Sequence, residues 1–431
     1  MVTDLEGRPR KAMDKTALQA WAEEHSAGPV VSKPDRQLSL SSKLLRFPWN
    51  DAMAMAVASD ADGKTRINAV LDAVALSVGQ PGPGAATVHL MLGTGPGGAE
   101  EPAIREHLGA IGTLVTELTG TPEVHVWTLA PGEEPKRAAV SPPAFTTETP
   151  ANWAKMLMTA AGKPVTGMAS AIVAALKGRL SFALYPKLSS LKSAEPWQMR
   201  LDGLEIGRAG ESGATLGLAS KDLTKPNEPR VSWQKVVGPH PRHFTADQVD
   251  ELVSFVDGLI GSWTHPDHPG AVLGHGQAEH ALEAHILSGR LTLRTAAGPL
   301  QLAVPLRDGM LAAAQFPTLW GDVTRPARYL DALLADNEGQ PWAVELKDQD
   351  AGGGHGAYLR HGIGQAVLYR HYIKSAHQLD PWFEHYGLDR TRCRAALAFP
   401  KAAPSTAKVI DRLCALAALY DVEVIEFQRP S

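Results

Sequence analysis

The stretch RYLDALLADNEGQPWAVELK, residues 328–347, decides how the C-terminal part of this chain folds. Residues 329–335 and 342–347 each have the length and the apolar content of a β-strand. The polar segment between them, residues 336–340, contains a glycine and is typical of a short turn. The sequence therefore predicts two strands that pair as a hairpin.

This hairpin carries charged residues where a sheet is expected to be buried. Side chains alternate between the two faces of a strand, so Glu345 and Lys347 point to the same side, and Asp331 lies on the partner strand. Buried charges are costly unless something compensates them. Two carboxylates and the carbonyl of Leu346 are hard oxygen ligands that suit Mg²⁺ or Mn²⁺. Such an ion activates water and polarises a phosphoryl oxygen, while Lys347 could orient the water or neutralise developing charge.

The elements around the hairpin follow the order α-β-β-β-β-α-β-α-β. In chain order they are a helix at 277–288, strands at 291–295, 300–306, 329–335 and 342–347, a long helix at 357–376, a strand at 394–399, a helix at 406–419 and a strand at 422–427. The charged hairpin is therefore followed directly by the long helix.

The hairpin resembles the core of the PD-(D/E)XK nuclease superfamily. Asp331 stands as the first acid, and Glu345-Leu346-Lys347 as the E-x-K motif, in a spacing that two short strands and a tight turn can span. Leu330 occupies the place of the nominal proline, which varies within the superfamily. The family order is α-β-β-β-α-β, so this chain has one strand more than that order before the long helix.

Two further elements resemble the RecB-like and NucS-like branches of the superfamily. Gln365 and Tyr369, on the long helix, match their Q-x-x-x-Y element. Upstream, Glu283 matches the glutamate of their first helix, with Glu279 as the alternative. The likeness covers the region from about residue 270 onward and leaves the N-terminal part of the chain unexplained.

The resemblance implies an α/β multidomain protein whose C-terminal domain has a restriction-endonuclease-like core. The expected activity is that of a Mg²⁺- or Mn²⁺-dependent nuclease that hydrolyses phosphodiester bonds in DNA, in antiviral defence, restriction or repair. The expected metal ligands are Glu283, Asp331, Glu345 and Leu346, and the expected catalytic residues are Asp331, Glu345, Lys347 and Gln365.

The long helix also carries a polar and aromatic stripe at helical spacing. Together with neighbouring arginines, this stripe could follow a sugar-phosphate backbone. The predicted nucleic-acid contacts are Arg360, His361, Tyr369, Arg370 and Tyr372. The alternative is an ordinary amphipathic helix whose tyrosines pack under the sheet.

The rest of the chain is expected to form two regions. Residues 1–145 are predicted to be an α/β domain of unknown role, with a βαβ unit formed by a strand at 87–92, a helix at 103–118 and a strand at 124–129. Residues 151–262 are predicted to be an α+β region, with a helix at 168–176, an antiparallel sheet of strands at 197–206, 214–219 and 230–237, and a helix at 246–260. The nuclease domain would then occupy residues 270–431.

The composition of the chain limits the class of protein and the cellular environment that are expected. The chain has 431 residues, 44% of them hydrophobic and 20% charged, which fits several globular domains. The net charge of −4 gives no overall basic signature for nucleic-acid binding. The only cysteines, Cys393 and Cys414, rule out a disulfide scaffold and indicate a reduced, cytoplasmic setting. Neither a signal peptide nor a membrane span is expected.

Two other hypotheses about the function remain open at this point. The N-terminal region has a formal G-x-G-x-x-G at residues 93–98, which matches a dinucleotide-binding turn. Separately, the order of domains resembles defence effectors that couple a ligand-binding domain to this nuclease fold, so a small nucleotide bound to the N-terminal region could gate the nuclease. Alternatively, the C-terminal fold could bind nucleic acid without cleaving it. DNA is the expected partner, no membrane partner is expected, and assembly into a homo-oligomer is left open.

Overall fold

The computed structural model is a mixed α/β protein. It describes residues 12–32, 44–78, 86–98, 102–145, 148–176, 182–186, 194–201, 204–216, 242–263, 278–304, 316–320, 328–348, 355–401 and 407–429. Within these stretches the strands form three five-stranded and two two-stranded sheets. No helix in the described stretches has the length and apolar character that crossing a membrane requires.

The N-terminal region is a sheet of order β1-β2-β3-β4-β5 with helices on both faces. Its elements are α1 (Lys15–His25), β1 (Leu44–Trp49), β2 (Ala52–Val57), α2 (Gly63–Ser77), β3 (Thr87–Gly93), α3 (Pro102–Thr116), β4 (Glu123–Leu129) and β5 (Lys136–Arg137). Strands β2, β3 and β4 are parallel, which confirms the predicted βαβ unit. Leu90 packs toward α2 and α3, and its neighbour Met91 toward α1, as expected for a strand covered on both faces.

The middle region is an antiparallel sheet of order β10-β9-β8-β7-β6 with its own core. Its elements are α4 (Glu148–Gly162), α5 (Gly167–Ala175), β6 (Phe182–Pro186), β7 (Trp197–Leu201), β8 (Leu204–Ala209), β9 (Gly213–Leu216), β10 (Arg242–Thr245) and α6 (Val249–Trp263). The antiparallel sheet was predicted, but the single strand expected at 197–206 is a hairpin of β7 and β8. The strand expected at 230–237 lies outside the described residues.

The C-terminal region is built on a mixed sheet of order β13-β16-β17-β18-β19. Its elements are α7 (Ala278–Leu287), β11 (Arg294–Thr295), β12 (Gly298–Pro299), β13 (Gln301–Leu302), β14 (Phe316–Thr318), β15 (Arg328–Leu330), β16 (Ala332–Ala335), β17 (Pro341–Leu346), α8 (His355–Ser375), α9 (Asp380–His385), β18 (Arg394–Pro400), α10 (Ala407–Leu419) and β19 (Val422–Phe427). Among the described residues, short 3₁₀ turns lie at His377–Leu379 and Arg390–Arg392 in this region and at Ala246–Gln248 in the middle region.

The central strand β17 marks a change of direction in this sheet. It pairs antiparallel with β16 and parallel with β18, which in turn pairs parallel with β19. Crossing back from β17 to a parallel neighbour requires a long connection, which α8 supplies. The C-terminal sheet is thus antiparallel on the side of β13 and β16, and parallel, with a β-α-β connection, on the side of β18.

The strand predicted at 329–335 is broken in the structure. Strand β15 pairs with β14 in a separate two-stranded sheet, while β16 pairs with β17. The break falls at Asp331, whose carboxylate oxygen Oδ2 accepts a hydrogen bond from the backbone N–H of Leu346 at 2.9 Å. The side chain takes the place of a backbone acceptor, so the regular ladder ends at the Ala332–Val344 pair.

One hydrophobic core joins the N-terminal and C-terminal regions. It contains Leu71 of α2 and Leu114 of α3 together with Ile363 and Val367 of α8. Helix α4, at the start of the predicted middle region, adds Trp153 to the same core. Helix α8 is therefore covered by the C-terminal sheet on one side and by α2 and α3 on the other.

Candidate functional site

Charged residues meet at the end of β17, next to α7. Lys347 is 4% exposed, and its Nζ donates to Oε1 of Glu345 at 2.5 Å and to the carbonyl of Leu346 at 3.0 Å. The same ammonium lies 3.4 Å from Oε1 of Glu279, in the first turn of α7. The hairpin residues expected to cluster therefore do so, and Glu279 joins them.

The backbone around this cluster is hydrogen-bonded to neighbouring segments on both sides. Asp331 is half-buried and accepts the N–H of Leu346 on one side of β17. On the other side, the N–H of Lys347 donates to the carbonyl of Ala398 in β18 at 3.0 Å. The ring centre of Tyr358, on α8, lies 5.2 Å from Nζ of Lys347. The backbone that carries Glu345 and Lys347 is thus hydrogen-bonded to its neighbours on both sides.

The electrostatics of the cluster favour an added positive charge. Burial raises the pKa of Asp331 well above its ordinary value, and Glu345 raises it further against the opposing effect of Lys347. Burial also raises the pKa of Glu345, which Lys347 only partly offsets. Burial lowers the pKa of Lys347, but the charges of Glu345 and Asp331 outweigh it and leave the pKa raised. One lysine does not neutralise these carboxylates.

The donor set could accept a magnesium-like ion. Oε2 of Glu345 is buried and has no hydrogen-bond partner among the described residues. Within those residues, no three His, Cys, Asp or Glu side chains are grouped so that they could hold a metal. Mg²⁺, however, is often held by one or two carboxylates and keeps several waters. Asp331, Glu345 and the second lone pair of the Leu346 carbonyl fit that pattern.

The predicted ligand Glu283 has a partner that the sequence did not indicate. It is 2% exposed on α7, and its charge raises the pKa of Asp331. NH1 of Arg200, from β7 of the middle sheet, lies 3.9 Å from Oε1 of Glu283. Alternation in β7 turns Trp197 and Met199 toward the core of the middle region and Arg200 to the opposite face, which sequence alone would assign to solvent.

Within the part of the chain that the structure describes, Gln365 of α8 forms no hydrogen bond with the charged side chains of Glu345 and Lys347. Its Nε2 donates to the hydroxyl of Tyr369 at 3.4 Å, and that hydroxyl donates to the carbonyl of Tyr329 at 3.3 Å. Oε1 of Gln365 is buried and has no hydrogen-bond partner among the described residues. The structure thus places Gln365 beside β15, and a catalytic part for it remains a prediction.

The nucleic-acid contacts predicted on α8 are placed differently by the structure. Tyr369 and Tyr372 are 1% and 0% exposed, within the core. Arg360 is buried, and its Nε donates to Oδ1 of Asp72 in α2 at 2.6 Å. His361 is partly exposed, with Nε2 3.8 Å from the other oxygen of Asp72. Arg360 and His361 thus face the N-terminal region and the two tyrosines are within the core, so these four residues do not form an open strip for nucleic acid.

The fifth predicted contact, Arg370, is also buried in this interface. Its NH2 donates to Oε2 of Glu117 at 2.8 Å and to the carbonyl of Tyr420 at 2.9 Å. Its NH1 donates to the carbonyl of Asp421 at 2.7 Å. Beside it, Nδ1 of His371 lies 3.0 Å from the other oxygen of Glu117. The basic residues of α8 thus bind carboxylates of this chain where phosphates were expected.

Comparison with known proteins adds no relative. No family model, curated protein or solved structure matches the chain. What it could do chemically follows from the cluster itself: the half-buried carboxylate of Asp331 and the buried one of Glu345, both with raised pKa values, the hydrogen-bonded ammonium of Lys347, and two further carboxylates on a neighbouring helix.

Proposed function

We propose that residues 278–429 form a metal-dependent nuclease domain of PD-(D/E)XK type that hydrolyses phosphodiester bonds in DNA. One observation carries the proposal. Lys347 is held beside Glu345, with Asp331 close enough to influence the pKa values of both, at the end of the strand where the sheet changes from antiparallel to parallel. A structural ion pair alone would need no second carboxylate at that position.

The order of elements supports the same proposal. Helix α7, the antiparallel strands β13, β16 and β17, helix α8 and the parallel strand β18 come in the order α-β-β-β-α-β once the two-stranded sheets β11–β12 and β14–β15 and the short helix α9 are set aside. Helix α10 with β19 extends the main sheet. The extra strand expected at 291–295 corresponds to β11, which pairs with β12 outside the main sheet.

The chemistry proposed for the site divides between the ion and the chain. A divalent ion supplies Lewis acidity to a phosphoryl oxygen and to water. Asp331 and Glu345 would hold that ion and lose the protons that their raised pKa values favour, so metal binding should release protons. Lys347, whose pKa is raised, stays protonated and donates to water or to a phosphate oxygen; it does not act as a base.

A cleavage assay tests the proposal. Wild-type protein with Mg²⁺ or Mn²⁺ should cut circular and linear DNA, and Asp331→Asn or Lys347→Met should lower the rate by about 100-fold or more. Arg392→Met, which removes an exposed guanidinium far from the cluster, should cut like wild type. If the Asp331 and Lys347 variants, shown to be folded by circular dichroism, cut as fast as wild type, the assignment is wrong.

A second candidate is a nuclease that the N-terminal region gates. It is favoured by the direct packing of α2 and α3 on α8, the helix that follows the E-x-K strand. A small nucleotide bound by residues 12–145 would then change both thermal stability and DNA cleavage. Nucleotides that stabilise the protein without changing its cleavage rate would contradict gating.

A further inference from the structure

The three parallel strands of the C-terminal sheet end together beside the candidate site. Strands β17, β18 and β19 run in the same direction, so their carboxyl ends meet at one edge. The pairing continues past the strand ends, where Lys347 N–H donates to the carbonyl of Ala398 at 3.0 Å and Lys401 N–H to that of Phe427 at 2.8 Å. In open α/β sheets, ligands bind outside the carboxyl ends of the strands. The residues that follow β18 and β19 are therefore placed to meet the same ligand as Lys347.

One of these residues, Lys401, lies on the same face of the sheet as Lys347. Glu345 is the register partner of Leu397. Because side chains alternate along a strand, Lys347 and Lys401, which come two and four residues after this pair, point to the same side. Lys347 is 4% exposed, whereas Lys401 is an exposed residue. A second ammonium thus lies further out on the face that carries the E-x-K motif.

A guanidinium from the end of β19 reaches back to the same place. NH2 of Arg429 donates to Oδ1 of Asp348 at 2.6 Å, and Asp348 directly follows Lys347 in the chain. The side chain of Asp348 is 2% exposed, but that of Arg429 is 42% exposed. The buried carboxylate therefore orients a guanidinium that remains at the surface. A planar guanidinium in a fixed orientation is suited to bidentate binding of a phosphate.

A DNA substrate needs contacts beyond the phosphate that reacts. Contacts to phosphate and sugar are the ones that fix the register and orientation of a protein on the duplex. The residues predicted for this task on α8 are mostly buried within the chain, so the backbone of the DNA has to be held elsewhere. The carboxyl edge offers exposed positive charge, although Glu426 of β19 is also exposed near it and opposes the binding of a phosphate.

We infer that Arg429 and Lys401 bind backbone phosphates of the DNA that flank the phosphate held at Lys347. The inference rests on the proposed function, because it takes the substrate to be DNA. It moves the positioning of the duplex from α8 to the carboxyl edge of β17, β18 and β19. Both residues hold the substrate, and neither touches the reacting atoms.

The experiment measures binding of the full-length protein to a short fluorescein-labelled DNA duplex by fluorescence anisotropy, with Ca²⁺ in place of Mg²⁺ and with varied NaCl. Each phosphate contact adds about 0.9 to the slope of log K against log [salt]. Arg429→Met and Lys401→Met should each lower that slope by about 0.9 and weaken binding about five- to tenfold at about 0.1 M salt. Arg429→Lys, which keeps the charge, should restore the wild-type slope. Glu426→Gln should bind more tightly than wild type.

Arg392→Met is the matched control. Arg392 is 47% exposed and forms an ion pair of 3.0 Å with Glu338, but it precedes β18 and so lies at the amino end of that strand. Its loss should leave the slope unchanged. In a cleavage assay with Mg²⁺, Arg429→Met and Lys401→Met should raise KM and leave kcat unchanged, because a contact to a flanking phosphate is equally strong in the ground state and the transition state.

The outcomes separate the inference from the function on which it rests. A wild-type slope in Arg429→Met or in Lys401→Met overturns the inference alone, and so does an equal loss in Arg392→Met. Lys401 is exposed, so its variant keeps the test decisive if Arg429→Met does not fold. If wild type binds the duplex without cutting it, cleavage fails as the function while the slopes still decide the inference. If wild type does not bind DNA, both fail.

Discussion

Removing Asp72 should separate the N-terminal region from α8. The ion pair between Nε of Arg360 and Oδ1 of Asp72 is 2.6 Å long, and the two side chains are 5% and 4% exposed. Burial raises the pKa of Asp72, but the charge of Arg360 and the neighbouring imidazole of His361 outweigh burial and leave the pKa lowered. The carboxylate is therefore ionised and opposes the buried guanidinium.

The expected change in the free energy of unfolding depends on which charges each variant leaves buried. Asp72→Ala leaves the Arg360 charge buried without its carboxylate, and breaking a buried pair in this way costs about 3–5 kcal/mol of the free energy of unfolding. Replacing both partners, as in Asp72→Leu with Arg360→Met, leaves no buried charge and should cost little or even stabilise. We therefore expect the double variant to be more stable than either single variant.

Urea unfolding at neutral pH, followed by tryptophan fluorescence, measures these differences. Glu338→Ala is the control, because its ion pair with Arg392 has a similar length of 3.0 Å but side chains that are 76% and 47% exposed. That variant should lose less than about 1 kcal/mol. An Asp72→Ala protein as stable as Glu338→Ala would refute the view that this buried pair holds the regions together.

Two further predictions concern contacts of α8, and a third, at Gly258 of α6, gives a contrasting glycine. Burial raises the pKa of Glu117, but the hydrogen bond and the charge of its partners on α8 lower it to about 2 from 4.5. This stabilisation is present above pH 4.5 and is lost as the pH falls toward 2, so Glu117→Gln should be less stable at neutral pH by up to about 3 kcal/mol, and the difference should close on acidification in pH-dependent melts. Gly362→Ala would place a Cβ 2.6 Å from Leu397 and 3.1 Å from Lys347, which should cost about 1–3 kcal/mol in thermal melts and lower metal-dependent cleavage. Gly258→Ala, in a helix with open space around it, should instead stabilise by about 0.5–1 kcal/mol.

The sequence predicted elements well where the signal is local. The strand expected at 422–427 and the parallel βαβ unit are both present in the structure. The β7–β8 hairpin was missed although Asp202-Gly203 is a strong turn signal in the sequence. The break at Asp331 could not be predicted from strand periodicity, because it depends on a side chain accepting a hydrogen bond from the neighbouring strand.

Prediction from sequence has the same limit at the candidate site, where only contacts between residues close in the chain could be foreseen. Glu345 and Lys347 share a face because they are two residues apart in a strand, so their meeting was predictable. The partner of Glu283 was not predictable, because Arg200 comes from the middle sheet, and no local sequence pattern shows how that sheet packs against the C-terminal region. The stripe on α8 has the composition of a nucleic-acid surface, and only the fold reveals that Asp72 and Glu117 cover it.

Helix α8 links the docking of the N-terminal region to the geometry of the candidate site. Gly362 and Gly364 lie two residues apart and therefore on nearly opposite sides of the helix. A Cβ at the first would meet Leu397 and Lys347, and a Cβ at the second would meet Leu71 of α2 at 2.6 Å. Because the packing is this close on both sides, a shift of α2 has to move α8 or open a gap, and moving α8 displaces the side chain of Lys347. Loss of the Asp72 pair should therefore weaken Mn²⁺ binding as well as stability, which loss of the exposed Glu338–Arg392 pair should not do.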